Sequence, residues 1–283
     1  MTSPLTTTNH DRDIAGLKYV YPVLSRRAGG LSVGINFNIN NACNWRCIYC
    51  QVPNLSKGAA PDVDLRMLRA ELEFFLDDVR NGGFFSRFQI EADKRVIKDI
   101  AISGNGEPTS AGNFTPALEL IGEIATELNV FPESRFVLIT NGSLVHQPKV
   151  RAGLAALNGF GGEVWFKFDS ATKAGRTLFN ESAQSVSSSL ENIRVSSQLC
   201  PTKIQTCLFD YNRRGLCEQE QAAYLEALAI IKEKTTVTDV LLYTLARPSL
   251  QPEAKLLSPL PFEVMGTFAE AIRLLGFNVS VSC

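Results

Sequence analysis

Three cysteines stand within eight residues, in the run Cys43-Asn44-Trp45-Arg46-Cys47-Ile48-Tyr49-Cys50. Thiolates are soft ligands that suit iron–sulfur clusters or zinc. Such crowding fits metal binding in a reducing compartment better than a disulfide framework. Structural zinc wants four ligands, commonly as two close pairs, whereas this loop supplies three and no second pair follows it. Three cysteines on a cubane cluster leave one iron open to a ligand from outside the protein. Zinc or inert thiols are the alternative that the residues leave standing. Of the chain's seven cysteines, Cys200, Cys207, Cys217 and Cys283 are spaced too widely for a second compact motif, and they read as buried thiols acting as small apolar residues.

Other residues able to hold a ligand stand at the ends of strand-like runs. Ser103-Gly104-Asn105-Gly106-Glu107-Pro108-Thr109 is a glycine-rich turn, and glycine permits close backbone approach and unusual φ. Thr140-Asn141-Gly142-Ser143 is by itself a turn signal. Lys167 and Asp169 are two apart on a strand and so share a face. A parallel strand is covered on both sides, so this pair is expected to point into a cavity, with a structural ion pair as the plainer reading. Arg247 follows the sixth strand-like run, where it either faces the same cavity or anchors its loop. His146, a lone histidine after a turn, reads as a surface or structural residue.

The elements that must position these groups show in alternating periods. Residues 31–39 put Leu31, Val33, Ile35, Phe37 and Ile39 on one side, a strand by its period of two. Runs of β-formers recur at 99–103, 135–140, 163–168, 203–209 and 239–244, with a last strand at 277–282. Between them, Leu65, Leu68, Leu72, Phe75, Leu76 and Val79 share one helical face, stopped by Gly82 and Gly83. A second helix is expected to start with Thr115 as N-cap and Pro116 at N1. Helical patterns also cover 148–157, 184–198, 219–234 and 261–275. This alternation means an α/β fold, a parallel sheet with outer helices as crossovers, either open or curled into a barrel. In both, ligands bind at the carboxyl ends of the strands. One domain is expected over 19–283, after a flexible arm over 1–18.

The 283 residues are 45% hydrophobic and 20% charged, with a net charge of −1, ordinary for a globular chain with one substantial core. That charge does not indicate a nucleic-acid partner, although a local basic patch is compatible with it. No run approaches the ~18 apolar residues of a membrane span. Residues 1–13 lack the apolar stretch of a signal peptide, so a cytoplasmic location and no membrane partner are expected.

The CxxxCxxC run, with the aromatic Tyr49 just before its last cysteine, resembles the signature of the radical S-adenosylmethionine (SAM) superfamily. Ser25-Arg26-Arg27, Ser32-Val33-Gly34-Ile35-Asn36, Cys50-Gln51 and Tyr243-Thr244-Leu245-Ala246-Arg247-Pro248 are similar to one branch of its iron–sulfur oxidoreductases. That branch includes the radical enzyme of tRNA wybutosine synthesis, and the likeness spans residues 20–248. It implies a partial (β/α)6 TIM-like barrel and a 4Fe-4S cluster held by Cys43, Cys47 and Cys50. It also implies SAM on the open iron, an external electron donor of flavodoxin or ferredoxin type, and hydrogen abstraction from a substrate. Cofactor contacts are implied for Tyr49, for the loop Gly104, Asn105, Gly106 and Glu107, and for Asn141 at the cavity mouth. The family has a Gly-Gly-Glu-type motif where this chain has Gly-Asn-Gly-Glu. Lys167 would meet the SAM carboxylate, Asp169 a ribose hydroxyl or the substrate, and Arg247 either substrate or SAM. The resemblance assigns no task that we can derive for Arg26 and Arg27. The wybutosine enzyme carries further N-terminal cysteines for a second cluster, whereas the first cysteine here is Cys43. The substrate stays open between RNA, a peptide and a small molecule. Activation of a glycyl-radical partner protein and a noncatalytic iron–sulfur or zinc role are the other readings.

Overall fold

A computed structural model describes residues 5–6, 12–25 and 29–282; Arg26, Arg27 and Cys283 lie outside the described residues. Along the chain run β1 (Val20–Ser25), β2 (Gly30–Ile35), β3 (Ala42–Cys43), β4 (Ser56–Lys57), α1 (Leu65–Arg80), α2 (Phe84–Arg87) and β5 (Ile97–Ile102). There follow α3 (Phe114–Glu127), β6 (Arg135–Thr140), α4 (Pro148–Gly159), β7 (Glu163–Lys167), α5 (Lys173–Asn180), α6 (Val186–Leu199) and β8 (Thr202–Cys207). Last come β9 (Phe209–Tyr211), α7 (Glu218–Lys234), β10 (Asp239–Tyr243), β11 (Leu257–Pro259), α8 (Phe262–Arg273) and β12 (Asn278–Ser282).

Eight strands form one curled sheet in the order β1-β2-β5-β6-β7-β8-β10-β12, a partial TIM-like barrel ringed by helices. Every neighbouring pair is parallel except β1 with β2. The antiparallel β1 is absent from the expectations above, because Pro22 interrupts its pattern of β-formers. Pro22 has no N–H for a ladder and is tolerated here on an edge strand.

Alternation sorts the strand side chains into two layers. Ile100, Ile102, Phe136, Leu138, Val164 and Phe166 join the main core with the helices. Ala101, Val137 and Trp165, from the same three strands, form a separate small cluster with Ile139 and Leu241. This is the barrel's interior packing, and the residues at the strands' carboxyl ends stand above it.

Helix α1 buries Leu68, Leu72, Phe75, Leu76 and Val79, and the Asp64 side chain caps it by accepting from the N–H groups of Arg66 and Met67. Its carboxylate Glu71 accepts the backbone N–H groups of Lys18 and Tyr19, and Leu5 is buried in the main core. The expected cap of the second helix needs correction. Helix α3 starts two residues earlier than Thr115 as a cap allows, with Asn113 at the N-cap; the Thr115 hydroxyl donates instead to the Lys149 carbonyl at 2.7 Å. Among the described residues no helix is long and apolar enough to cross a membrane.

Candidate active site

At the carboxyl ends of the strands lies a cavity of about 360 Å³, bordered by Cys43, Cys47 and Cys50 together with Gly104, Gly106 and Lys167. The cysteine loop begins on β3, whose pairing with β4 fixes one end through the Gly58 N–H to the Cys43 carbonyl at 3.0 Å. Its middle is clamped by the end of α5, where the Asn180 and Phe179 carbonyls accept from the Arg46 and Ile48 N–H groups at 3.0 and 2.9 Å. Its far end accepts at the Cys50 carbonyl from the Leu250 N–H at 2.9 Å. The Ser249 hydroxyl donates to the Ile48 carbonyl at 2.7 Å.

The side chain of Arg46 adds a second fastening. Its guanidinium grips the Glu253 carboxylate with two bonds of 2.8 and 2.7 Å and the Glu181 carboxylate with one of 2.6 Å. The hydrogen bond to Glu253 is the main reason Arg46 is held above its usual pKa, and the same bond holds the Glu253 carboxyl below its own. Arg46 therefore stays charged at any working pH. A depressed carboxyl pKa contributes stability above its unfolded value and loses it as pH falls through the folded value. Arg46→Ala should cost about 1 kcal/mol at neutral pH, and the cost should shrink in acid below the ordinary carboxylate range. Unfolding midpoints across pH check this.

Burial pushes the Cys43 thiol up to about 11 and the Cys47 thiol up to about 12. Lys167 lowers both but does not offset burial, so at neutral pH these thiols are protonated and binding of a metal there must release protons. The Trp45 N–H lies 3.5 Å from Cys43 Sγ, and the Asn180 amide nitrogen lies 3.3 Å from Cys47 Sγ. Both are donors to sulfur. Among the described residues no three His, Cys, Asp or Glu side chains are grouped to hold a single metal ion, as structural zinc would require. A cubane puts each thiolate on its own iron, so its ligands stand farther apart than those of a single ion.

The glycine turn after β5 is tied to the cysteine loop rather than simply facing it. Gly104 has φ +138°, and a Cβ there would stand 2.4 Å from Asn36 Oδ1. A Cβ on Gly106 would stand 2.1 Å from the carbonyl oxygen of Ala42, the neighbour of Cys43. Asn36 and Asn38, just beyond β2, stitch the two loops. Asn36 Oδ1 accepts from the Asn38 and Asn105 N–H groups at 3.0 Å each, and Asn38 Nδ2 donates to the Ala42 carbonyl at 2.8 Å. The Asn105 side chain donates to Asn41 Oδ1 at 2.6 Å and is not part of the cavity wall.

Two carboxylates expected to face a ligand are tied up by hydrogen bonds inside the protein, although Glu107 still borders the cavity. Glu107 is 2% exposed; it accepts from the Thr109 and Thr140 hydroxyls and the Asn141 N–H, each at 2.6 Å. Burial raises its pKa, and these hydrogen bonds pull the other way. Asp169 lies two residues past the end of β7 rather than on the strand. It accepts from the Tyr49 hydroxyl, from Asn180 Nδ2 at 2.8 Å and from the Cys207 N–H at 2.9 Å. Its oxygens hold the cysteine loop to β8 instead of opening to the cavity.

Lys167 does border the cavity, its ammonium 5.4 Å from the centroid of the Tyr49 ring. Burial pulls its pKa down, but Tyr243, Cys47, Asp169 and Cys207 together outweigh this and hold it above its usual range. Tyr49, Asn141 and Arg247 border the cavity as well, and Asn141 Nδ2 donates to Asn44 Oδ1 in the cysteine loop at 2.8 Å. Helix α5 and Asn180 were missed in the sequence, which shows no apolar period there. Of the outlying cysteines, Cys200 is buried and donates to the Gly162 carbonyl at 3.3 Å. Cys207 is buried yet borders the cavity. Cys217 is exposed, correcting the expectation of a buried thiol: it precedes α7 at the N-cap, outside the core.

No protein-family model matches the sequence, and no curated protein matches it. Solved structures do match the fold. A radical SAM methyltransferase from Sphaerobacter thermophilus superposes with a TM-score of 0.59 at 13% identity, covering 93% of this chain and 68% of that one. The chain has the radical SAM fold. TYW1 with a lysine–pyruvate adduct bound matches with a TM-score of 0.52 at 14% identity, over 87% of this chain and 74% of that one. The enzyme anSMEcpe with bound AdoMet matches with a TM-score of 0.54 at 17% identity, over 88% of this chain and 63% of that one. In this radical SAM fold the cysteine loop follows β2, the first strand of the parallel run, and the glycine turn follows β5, the second. The fold is the one that the sequence resemblance implies.

Proposed function

We propose that this protein is a radical SAM enzyme in which Cys43, Cys47 and Cys50 hold a 4Fe-4S cluster and the adjoining cavity holds SAM. One observation carries the reading: three cysteines of a single CxxxCxxC loop and the Gly104–Gly106 turn border one cavity at the carboxyl ends of a radical SAM fold. The residues present fit the group. Three thiols are available on one wall, two of them already facing N–H donors, and Gly104 and Gly106 place no side chain of their own between the loops. When bound, the cluster and SAM supply a strongly reducing electron and a carbon radical that takes hydrogen from a substrate.

The chain's own part is to hold and to shield. Lys167 offers its ammonium to the SAM carboxylate, with the Tyr49 ring beside it. Asn141 and Arg247 border the space that SAM and substrate share. Asp169, whose oxygens are occupied, acts as an internal tie, whereas Glu107 ties the strand ends together and also borders the cavity. An external one-electron donor of flavodoxin or ferredoxin type completes the scheme, in the reducing environment that free cluster thiols need.

Anaerobic reconstitution with iron and sulfide should give about four irons per chain, the content of one cubane. With a strong reductant and SAM, the same preparation should release 5′-deoxyadenosine. Four irons without that product would leave a noncatalytic iron–sulfur protein, and zinc in place of iron would remove the reading altogether. SAM added to the reduced protein should also change its electron paramagnetic resonance spectrum, since the open iron gains a ligand. Cys207 is the remaining cysteine on the cavity wall among the described residues, so Cys207→Ala separates the cases. The variant should keep its four irons and the response to SAM. Loss of either would make Cys207 a fourth protein ligand.

A further inference from the structure

We infer that Asn180 sets the reduction potential of the cluster through an N–H···S hydrogen bond to Cys47, an inference that rests on the cluster reading above. Asn180 ends α5 and is 1% exposed. Its amide nitrogen stands 3.3 Å from Cys47 Sγ and 2.8 Å from Asp169 Oδ2. Which end of an amide faces a partner is normally a matter of assignment. Here the neighbours settle it, because the Asp169 oxygens accept from the Tyr49 hydroxyl and the Cys207 N–H as well. The group facing Asp169 is therefore the NH2, and its second hydrogen is the one available to the sulfur.

That nitrogen has little freedom to move. The Asn180 carbonyl accepts from the Arg46 N–H and the Phe179 carbonyl from the Ile48 N–H, so the backbone on both sides of Cys47 is bonded to the backbone beside Asn180. The Asp169 carboxylate is itself fixed by the Tyr49 hydroxyl and the Cys207 N–H. Donor and sulfur are thus held in register by contacts that do not involve the cluster.

The effect on the cluster follows from charge. Reduction adds an electron to a centre already ligated by thiolates, and hydrogen bonds to the sulfurs are among the factors that set such potentials. A buried donor stabilises the more negative, reduced state, and low local polarity strengthens it. Without Asn180, Cys47 sulfur would face the Asp169 carboxylate with no donor between them, and two negative groups would disfavour the added electron. Asn180 therefore raises the potential. It keeps a centre that must be strongly reducing within reach of its electron donor.

The test compares reconstituted wild type, Asn180→Leu and Asn180→His by redox titration followed with electron paramagnetic resonance. Leucine removes the donor at similar size, whereas histidine can return an N–H from Nδ1. The leucine variant should keep wild-type iron content but take up its electron at a more negative potential, and histidine should bring the potential back toward wild type. An Asn180→Leu protein that loads fully with an unchanged potential overturns the inference. So does one that loses its iron, since Asn180 would then be only a clamp, and so does a histidine variant shifted as far as leucine. Iron content and 5′-deoxyadenosine release of the wild type, measured on the same preparation, report on the cluster reading separately.

Discussion

Replacing Cys43, Cys47 or Cys50 by alanine should take the reconstituted protein from about four irons per chain to almost none, with loss of its brown absorbance. A cubane missing one of three thiolates is under-ligated at that iron, and no other cysteine stands in the loop. The chain itself should stay folded, because the loop is held by bonds that alanine leaves in place. Gly58 to Cys43, Arg46 to Asn180, Ile48 to Phe179 and Leu250 to Cys50 are all backbone to backbone. Iron analysis beside far-ultraviolet circular dichroism reads both halves of the expectation. Wild-type iron in all three variants would end the cluster assignment.

Gly106→Val should do more damage than a loss of SAM affinity alone. Resemblance places SAM against this turn, which suggests that a side chain there would simply crowd the cofactor. The structure shows a different obstruction. The added Cβ would lie 2.1 Å from the Ala42 carbonyl oxygen and 2.6 Å from Asn38 Nδ2, and Ala42 is bonded to Asn38 and adjoins Cys43. Relief requires the cysteine loop to move away from the turn. We expect about 1–3 kcal/mol of lost stability, typical of overpacking, and iron content reduced together with SAM binding. Thermal unfolding and iron per chain check the two effects, and a variant with normal iron and a normal midpoint would show that the loops are not coupled. Gly104→Val meets Asn36 instead and must also adopt φ +138°, so it should be at least as disruptive.

What could be read from the sequence was whatever announces itself locally. The cysteine loop is a compact motif, and the strands and long helices carry clean periods; β6 occupies the residues its β-formers mark. The partners of the polar residues could not be read in the same way. Asn180 meets Cys47 across 133 residues, and Tyr49 meets Asp169 across 120. No periodicity encodes such pairings, which arise only when the sheet brings strand ends together. Lys167 and Asp169 looked equivalent at a spacing of two, yet β7 ends at Lys167. Past that point Lys167 borders the cavity, while Asp169 is buried against Tyr49, Asn180 and Cys207. Helix α5 is short and polar, formed because Thr172 caps it by accepting from the Gly175 N–H and because its end docks on the cysteine loop.

The eight-stranded sheet is an arc, with β1 and β12 at its two ends and no ladder joining them among the described residues. Ser25 on β1 and Ser282 on β12 nevertheless border the same cavity. In a closed barrel the bore is fixed by strand number and stagger, and widening it means breaking hydrogen bonds between strands. An arc has no such limit. Its two rims can part by a small change of curvature spread over seven strand pairings, each of which keeps its hydrogen bonds. The bore of this protein is therefore not set by closure of the sheet, and between β1 and β12 no ladder among the described residues fixes its width.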